Sequence, residues 1–474
     1  MADFDVIVIG GGGAGLAAAI EALDAGAHVL VCEKAQRIGG STANSGGVIM
    51  AAGSDVQRER GVEDSVDALF EHYMTHNKYL VEAGLARTLC EGGQETLDWL
   101  RGFGVRFDPD ALYVTGVENP ATPRGHPAEG NGHAIMVALE NAAMSRGLEV
   151  AVNTRVAGVL RDEGGHVEGI FADGVKVTAS SVVVTTGGFG NDFELLESWF
   201  PNAARHGQDW HFYVGIDENT GDGHRLAQAA GAAIVGQGFG QALLTAKFSK
   251  EPEPYIPGWL VYVNCEGRRF VNETGAYVIM DHVVNAQAGG RCWAIMDHAA
   301  FSRDDMNPRY RTPEFLIFPT PNWQPEALAR HLEHGAIYKG ETLGDLARQA
   351  GIAPVVLAST IAQYNEAAKL GFDPHYLKDK RYLLPVAQPP WYAIELRPAG
   401  VGSTHAGLRI DTQARVYDTG GEPIPGLFAA GECTGGVMAH YVGGGNSLLN
   451  NFVFGRVAGR NAAECAMGSK ITPT

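Results

Sequence analysis

The chain has 474 residues, enough to bury a large core and to form two or three domains. Its composition, 45% hydrophobic and 19% charged, is that of a globular enzyme, while a formal net charge of −18 argues against nucleic acid or an anionic membrane as the main partner. No apolar run reaches the roughly 18–20 residues that a membrane span requires.

Acidic residues precede the apolar run at residues 6–9 and a glycine motif follows it at once, so this opening reads as a buried parallel strand and not as a signal peptide. Small residues over 15–25 predict a helix, and residues 29–32 predict the next strand, which completes a βαβ unit. Gly10, Gly12 and Gly15 spell G-x-G-x-x-G between that strand and that helix. Gly10 permits the tight turn, Gly12 lets the backbone approach a pyrophosphate, and Gly15 lets helix and strand pack closely. The helix N-terminus then offers unpaired N–H groups and a positive dipole end to phosphates. Glu33, 18 residues after Gly15, closes the second strand, where a carboxylate can accept hydrogen bonds from ribose hydroxyls.

Lys34 follows, and then a second glycine-rich turn through Arg37, Ile38, Gly39, Gly40, Ser41 and Thr42. An NAD domain would run on here into another plain βαβ unit. A flavin cofactor is longer and needs a second backbone cradle, which favours FAD. Residues 156–160 and 167–171 predict a hairpin turning through Glu163, Gly164 and Gly165, and residues 182–184 a buried strand ended by Gly187 and Gly188. From about 238 to 400, aromatics, prolines and short amphipathic stretches such as 343–350 and 355–368 replace the glycine-linked strands. This predicts a second domain inserted into the first. Residues 426–430 and the helical run after Ser447 repeat the strand, turn, helix logic. Between them Glu432 leaves the strand through Ala429, Ala430 and Gly431, placed to bind ribityl or ribose hydroxyls.

The expected division is 1–237 and 403–474 for an FAD-binding domain and 238–402 for the insertion. Six cysteines, Cys32, Cys90, Cys265, Cys292, Cys433 and Cys465, form no CxxC pair, so neither a zinc site nor a haem attachment site is expected. They read as reduced thiols of a cytoplasmic protein.

Seven segments together carry a resemblance: GGGGAG at 10–15, GGST at 39–42, TTGGFGND at 185–192, TGDG at 220–223, GRRFVNE at 267–273, PGLFAAGE at 425–432 and FGRVAG at 454–459. Over almost its full length the chain resembles the fumarate reductase/succinate dehydrogenase flavoprotein superfamily. The resemblance implies an α/β fold, a Rossmann-like FAD-binding domain with an inserted α+β capping domain that takes the substrate. It also implies movement of two hydrogens between flavin and a carbon–carbon bond beside a carbonyl or carboxyl group. Besides Gly10, Gly12, Gly15 and Glu33, it points to Gly13, Ala14, Lys34, Gly40, Ser41, Thr42, Gly46 and Gly47 as cofactor contacts. Further along the chain it adds Val156, Thr186, Gly187, Gly188, Asn191, Gly221 and Asp222. The closing contacts are Gly431, Glu432, Asn446, Ser447 and Leu448. Relatives with covalent flavin carry a histidine just after the second glycine turn; residues 41–47 contain none, which implies non-covalent FAD.

The likeness to fumarate reductases breaks at the substrate. Their proton-donating arginine falls at Tyr277, and their carboxylate-binding arginine falls within 438–446, where this chain has no arginine. Their histidine after a Gln-Ala pair becomes Leu243, and their other substrate histidine falls near Gly402 and Ser403. Dicarboxylate recognition rests on charge-assisted, often bidentate contacts that such a pocket cannot replace. The remaining pattern resembles the 3-ketosteroid dehydrogenases and related desaturases of cyclic ketones. In that branch the residue at Tyr277 is the base. The tyrosine of a Y-x-G-x-G turn, here Tyr441, binds the ketone together with the N–H of the last glycine, Gly445. Hydrogen bonds to a ketone oxygen stabilise enolate character and acidify the α-hydrogen. Because a free tyrosine has a pKa of about 10, the base must be tuned or coupled to a proton path. His405 and His440 could relay protons or be structural, and Arg456 reads as a helix-to-phosphate or packing contact.

The expected partners are a small cyclic ketone and an external electron acceptor, since no second GxGxxG and no haem segment is present. Oxygen, a quinone or a carrier protein could fill the acceptor role. Two other readings stay open: a reductase of unsaturated carbonyl compounds, and an electron-transfer subunit of a larger complex.

Overall fold

Val6, Ile7, Val8 and Ile9 are buried without alternation, as a strand covered on both faces of a parallel sheet must be. The computed structural model describes residues 2–115, 122–246, 256–303 and 321–468. It divides into two units, one of Met1–Pro201, Gly215–Gln241 and Ser403–Thr474, the other of Asn202–Val214 and Ala242–Gly402.

In the first unit the main sheet runs Arg415–Tyr417, Pro423–Ala429, Val175–Val184, Phe4–Ile9, Val29–Cys32, Glu149–Ala151. All neighbours are parallel except Arg415–Tyr417, which is antiparallel to Pro423–Ala429. The register sets Val6 between Val29 and Ser181, and Leu427 beside Val182. The hairpin forms from Val156–Arg161 and Val167–Ala172 and continues onto Val175–Val184. The first helix is Gly13–Asp24, starting two residues before the expected position, so Gly13, Ala14 and Gly15 form its first turn. The second glycine turn is a short helix, Gly40–Asn44.

The C-terminal helix, Asn446–Ala466, packs against the first helix almost backbone to backbone. A Cβ at Gly455 would lie 2.6 Å from the Ala14 carbonyl oxygen, and one at Gly459 would lie 2.1 Å from that of Ala18. The helical run with a Gly spaced four residues from the next therefore has a packing purpose. Together with Pro423–Ala429 it completes the dinucleotide fold from the far end of the chain.

The second unit is built on the long strand Trp391–Thr404, with Cys292–Met296 and Tyr338–Gly340 antiparallel to it. Val261–Val263 adds to Cys292–Met296, and Phe212–Tyr213 lies parallel to Gly400 and Val401. That last pairing is what ties residues 202–214 to this unit, although the sequence reading kept them in the flavin domain. The helices Leu343–Ala350 and Pro354–Leu370 each end on a left-handed glycine, Gly351 at φ 71° and Gly371 at φ 67°. They cover the sheet through Leu346, Leu357 and Ile361 against Val261, Trp293 and Ile295.

Candidate cofactor and active site

The three motif glycines of the first unit have different physical reasons. Gly10 has φ +103°, and a Cβ there would lie 2.6 Å from the Thr185 carbonyl oxygen. At Gly15 it would lie 2.0 Å from the Gly10 carbonyl oxygen. Gly12 is different: its φ of −80° suits any residue, and a Cβ would approach nothing closer than the Gly40 Cα at 3.9 Å. No protein contact requires glycine at 12, so what the missing side chain preserves is space over an uncapped helix N-terminus.

Glu33 stands one residue past its strand and is buried. Its carboxylate accepts the N–H of Gly11 and that of Ala35, each at 2.8 Å, which braces the glycine loop. A carboxylate has about four acceptor positions, so two remain for ribose hydroxyls. Gly40 sits against Gly12, where its Cβ would be 3.1 Å from the Gly12 Cα. Ser41 Oγ accepts the Ile216 N–H and the Asn219 amide, both at 3.2 Å, Thr42 is buried, and Gly46 and Gly47 follow in the loop.

Lys34 and Asp222 are brought together, but on each other: Nζ lies 2.7 Å from Asp222 Oδ2 and donates to Thr220 Oγ1 at 2.9 Å. Arg155 takes the other Asp222 oxygen at 2.7 Å. This pair closes the Gly221 turn, at the N-terminus of Asp222–Ala229. Val156 is the buried first residue of its strand, and the Asn191 amide donates to the Asp217 carbonyl at 2.8 Å. Glu432 accepts the Thr404 N–H at 2.9 Å and its hydroxyl at 3.1 Å. Burial pushes its pKa up to about 7, with Thr404 pulling the other way. A Cβ at Gly188 would lie 2.3 Å from Glu432 Oε1 and displace it, and one at Gly187 would lie 2.7 Å from Asn219 Oδ1.

Among the buried polar atoms of this unit that lack a hydrogen-bond partner are Thr186 Oγ1, Asn446 Oδ1 and Ser447 Oγ. Each belongs to a residue singled out above for cofactor binding. An unpaired buried polar atom costs about 1–3 kcal/mol, so three of them beside two uncapped helix starts suit a polar ligand. The second uncapped start is that of Asn446–Ala466, whose N-cap Gly445 has φ +103°. Leu448 is buried in its first turn. These residues fit FAD.

Tyr441 is half-buried, and its turn is held from a helix the sequence reading passed over, Val66–His76. Tyr73 donates its hydroxyl to the Val437 carbonyl at 2.9 Å, and His76 Nε2 lies 3.0 Å from the Tyr441 carbonyl. Asn77, fully buried, accepts the N–H groups of Ala439 and His440 at 2.8 and 2.9 Å. The available signal was three polar side chains on one helical face, at 73, 76 and 77, with no motif around them. His405 is engaged at both ring nitrogens, by the Ala439 carbonyl and Ser403 Oγ at 2.9 Å each. Burial lowers its pKa to about 4. Bonded at both ring nitrogens, it braces this turn. His440 is buried with its ring edge-on to Phe239 at 5.6 Å. Arg456 pairs with Glu21 at 3.0 Å and Glu95 at 2.5 Å, a packing contact of the C-terminal helix.

In the second unit Tyr277 is half-buried and begins the helix Tyr277–Asn285. The GRRFVNE segment before it folds around buried charge. Arg269 grips both Glu273 oxygens at 2.8 Å and reaches Asp373 at 2.7 Å. Lys378 completes the cluster, 3.2 Å from Glu273 and donating to the Leu260 carbonyl at 2.7 Å. Burial alone would raise the Glu273 pKa, but Lys378 and Arg269 outweigh it and hold it below the ordinary value. Lys378, also buried, is lowered to about 8. The motif thus works as an anchor for the loop that presents Tyr277. Leu243, where fumarate reductases have histidine, is buried in the strand Gly240–Ala246.

Comparison with known proteins agrees with this geometry. The model of the FAD binding domain family matches residues 5–448. The chain belongs to that family. Among curated relatives, a probable fumarate reductase of Shewanella frigidimarina is 31% identical over 472 residues, covering 98% of this chain and 75% of the relative. The urocanate reductase of Eggerthella lenta is 30% identical, with the same two coverages. A solved 3-ketosteroid-Δ4-(5α)-dehydrogenase of Rhodococcus jostii, in complex with 4-androstene-3,17-dione, superposes with TM-score 0.78 at 29% identity, covering 97% of this chain and 96% of that one. This flavoprotein is therefore an FAD-dependent oxidoreductase of the fumarate reductase/succinate dehydrogenase superfamily. No helix among its described residues is long and apolar enough to cross a membrane, and none of them form a cluster suited to a metal ion.

Proposed function

We propose that this flavoprotein is a dehydrogenase that introduces a double bond α,β to the ketone of a cyclic substrate, a 3-ketosteroid or a smaller ring. The observation that carries the reading is Tyr277 at the head of its helix, in the place of the arginine donor, with no arginine in residues 438–446. FAD, held without a covalent bond by the residues described above, supplies two-electron, hydride-accepting chemistry. Tyr277 takes the α-proton at its phenolic oxygen. The Tyr441 hydroxyl and the Gly445 N–H donate to the ketone oxygen and lower the cost of enolate character. The arginine-poor turn leaves an uncharged ketone preferred over a dicarboxylate. An external acceptor, dioxygen, a quinone or a carrier protein, would take up the electrons.

The matching curated relatives named as reductases favour a second reading, in which the same residues run in reverse on an unsaturated carbonyl compound. Rapid mixing separates them: saturated ketones bleach the flavin in the first case, and enones reoxidise reduced flavin in the second. A panel of cyclohexanone and saturated and unsaturated 3-ketosteroids, with fumarate and urocanate as controls, covers both. Tyr277→Phe should slow the flavin half-reaction by about 10²–10⁴-fold with little change in ketone affinity. Tyr441→Phe should slow it by about 10²–10³-fold and weaken ketone binding. Tyr277→Phe working at the wild-type rate, or micromolar binding of fumarate, would overturn the reading.

A further inference from the structure

The helix Tyr277–Asn285 carries a buried acid that is met by backbone N–H groups and not by a cation. Asp281 is buried, one turn after Tyr277 and therefore on the same helical face. The other buried acids of this unit's charge cluster, Glu273 and Asp373, are matched by Arg269 and Lys378. Among the described residues no lysine or arginine pairs with Asp281, and a buried carboxylate without a cation is costly. A titratable group beside it is His282, whose Nε2 lies 3.9 Å from Asp281 Oδ1. His282 is 46% exposed, so the three side chains run from a half-buried phenol through a buried carboxyl to a solvent-facing imidazole.

We propose that Asp281 and His282 carry the proton handled by Tyr277 to and from solvent. The proposal rests on the reading of Tyr277 as the acid–base group. The phenolic O–H bond breaks as a proton passes to an Asp281 carboxylate oxygen. That proton then moves to His282 Nε2 and on to water, with no change of oxidation state; a reductive turnover uses the same links backwards. Burial pushes the Asp281 carboxyl up to about 7, against the backbone N–H groups of His282, Asp281 and Ala242. Both protonation states are then accessible near neutrality, as a relay requires. The two residues are positioning and relay groups and need not touch substrate.

Infrared pH-difference spectra of the FAD-loaded enzyme test the first link. A carboxylic-acid band titrating near neutrality should be present in the wild type and missing in Asp281→Asn; spectra without that difference would overturn the proposal. Tyrosinate absorbance of the wild type minus Tyr277→Phe isolates Tyr277. Its midpoint should fall by about half a pH unit in Asp281→Asn, where a like charge has been removed. An unmoved midpoint means that the two groups are not coupled and the relay is wrong. Should Asp281→Asn fail to fold, His282→Gln at the half-exposed position serves instead. It should raise the Asp281 midpoint by about half a pH unit, because a cationic neighbour is lost, and no change overturns the second link. None of these measurements reads turnover. Failure of the Tyr277 assignment would show separately, as wild-type flavin reduction by Tyr277→Phe.

Discussion

Around the glycine motif the first unit works with backbone. Gly10, Gly15, Gly455 and Gly459 let main chain meet main chain, and the buried oxygens of Thr186, Asn446 and Ser447 are without partners. The loop ahead of Tyr277 in the second unit is held in the opposite way, by Arg269, Glu273, Asp373 and Lys378 buried together. The first arrangement leaves room for a ligand shared by a whole family. The second fixes the loop that leads into Tyr277.

The comparison breaks most visibly at the glycines themselves. Gly15→Val should prevent folding, because its side chain would enter the space of the Gly10 carbonyl, whereas Gly12→Val should fold and lose FAD. Circular dichroism with FAD titration checks both, and a Gly12→Val protein that stays yellow would mean that the space over the helix start is not for the cofactor. Next in size, Arg269→Met leaves two buried acids facing one lysine and should cost about 3–5 kcal/mol by denaturant unfolding. If it costs under about 1 kcal/mol, the charge cluster is not the anchor described.

Acid should then act on the first unit through its buried histidines. His224 and His405 both have pKa values lowered to about 4 from 6.5, chiefly by burial. Between those values the unfolded chain binds more protons, so stability is full above about pH 6.5 and is lost as pH falls toward 4. At pH 5 each should have cost about 2 kcal/mol, and His405→Gln should show a smaller fall between pH 7 and pH 5 than the wild type. The smallest change expected is Asn77→Ala, which strands two buried N–H groups of the Tyr441 turn. It should lower stability by about 1–3 kcal/mol and weaken ketone binding more than FAD binding.

These contrasts also explain what the sequence revealed. The βαβ opening, the hairpin and the returning strand and helix were legible because each couples a hydrophobic period to a glycine that only one geometry allows. Glu33 was legible as an acid at a strand end, though its grip on the Gly11 and Ala35 N–H groups was not, since main-chain partners leave no pattern. Lys34 and Asp222 looked like two separate ligands and form one ion pair, 188 residues apart in sequence. Asn77 and Tyr73 were missed for the same reason: their partners are carbonyls and amides of a turn more than 360 residues away. Residues 202–214 were misjudged because a two-residue strand, Phe212–Tyr213, carries too little periodicity to declare its sheet.

The small-residue seam between Gly13–Asp24 and Asn446–Ala466 has a consequence for the making of the protein. During synthesis Val175–Val184 has no neighbour on the side that Pro423–Ala429 will take, and the alanine face of the first helix has nothing to cover it. The strand edge stays open while the residues between Val184 and Pro423 emerge, most of them belonging to the other unit, and the helix face stays open longer still. An unpaired strand edge and a bare apolar stripe are what chaperones hold and what aggregates recruit. Slower translation after residue 242 should lengthen the wait of Val175–Val184 for Pro423–Ala429 and lower the yield of folded protein.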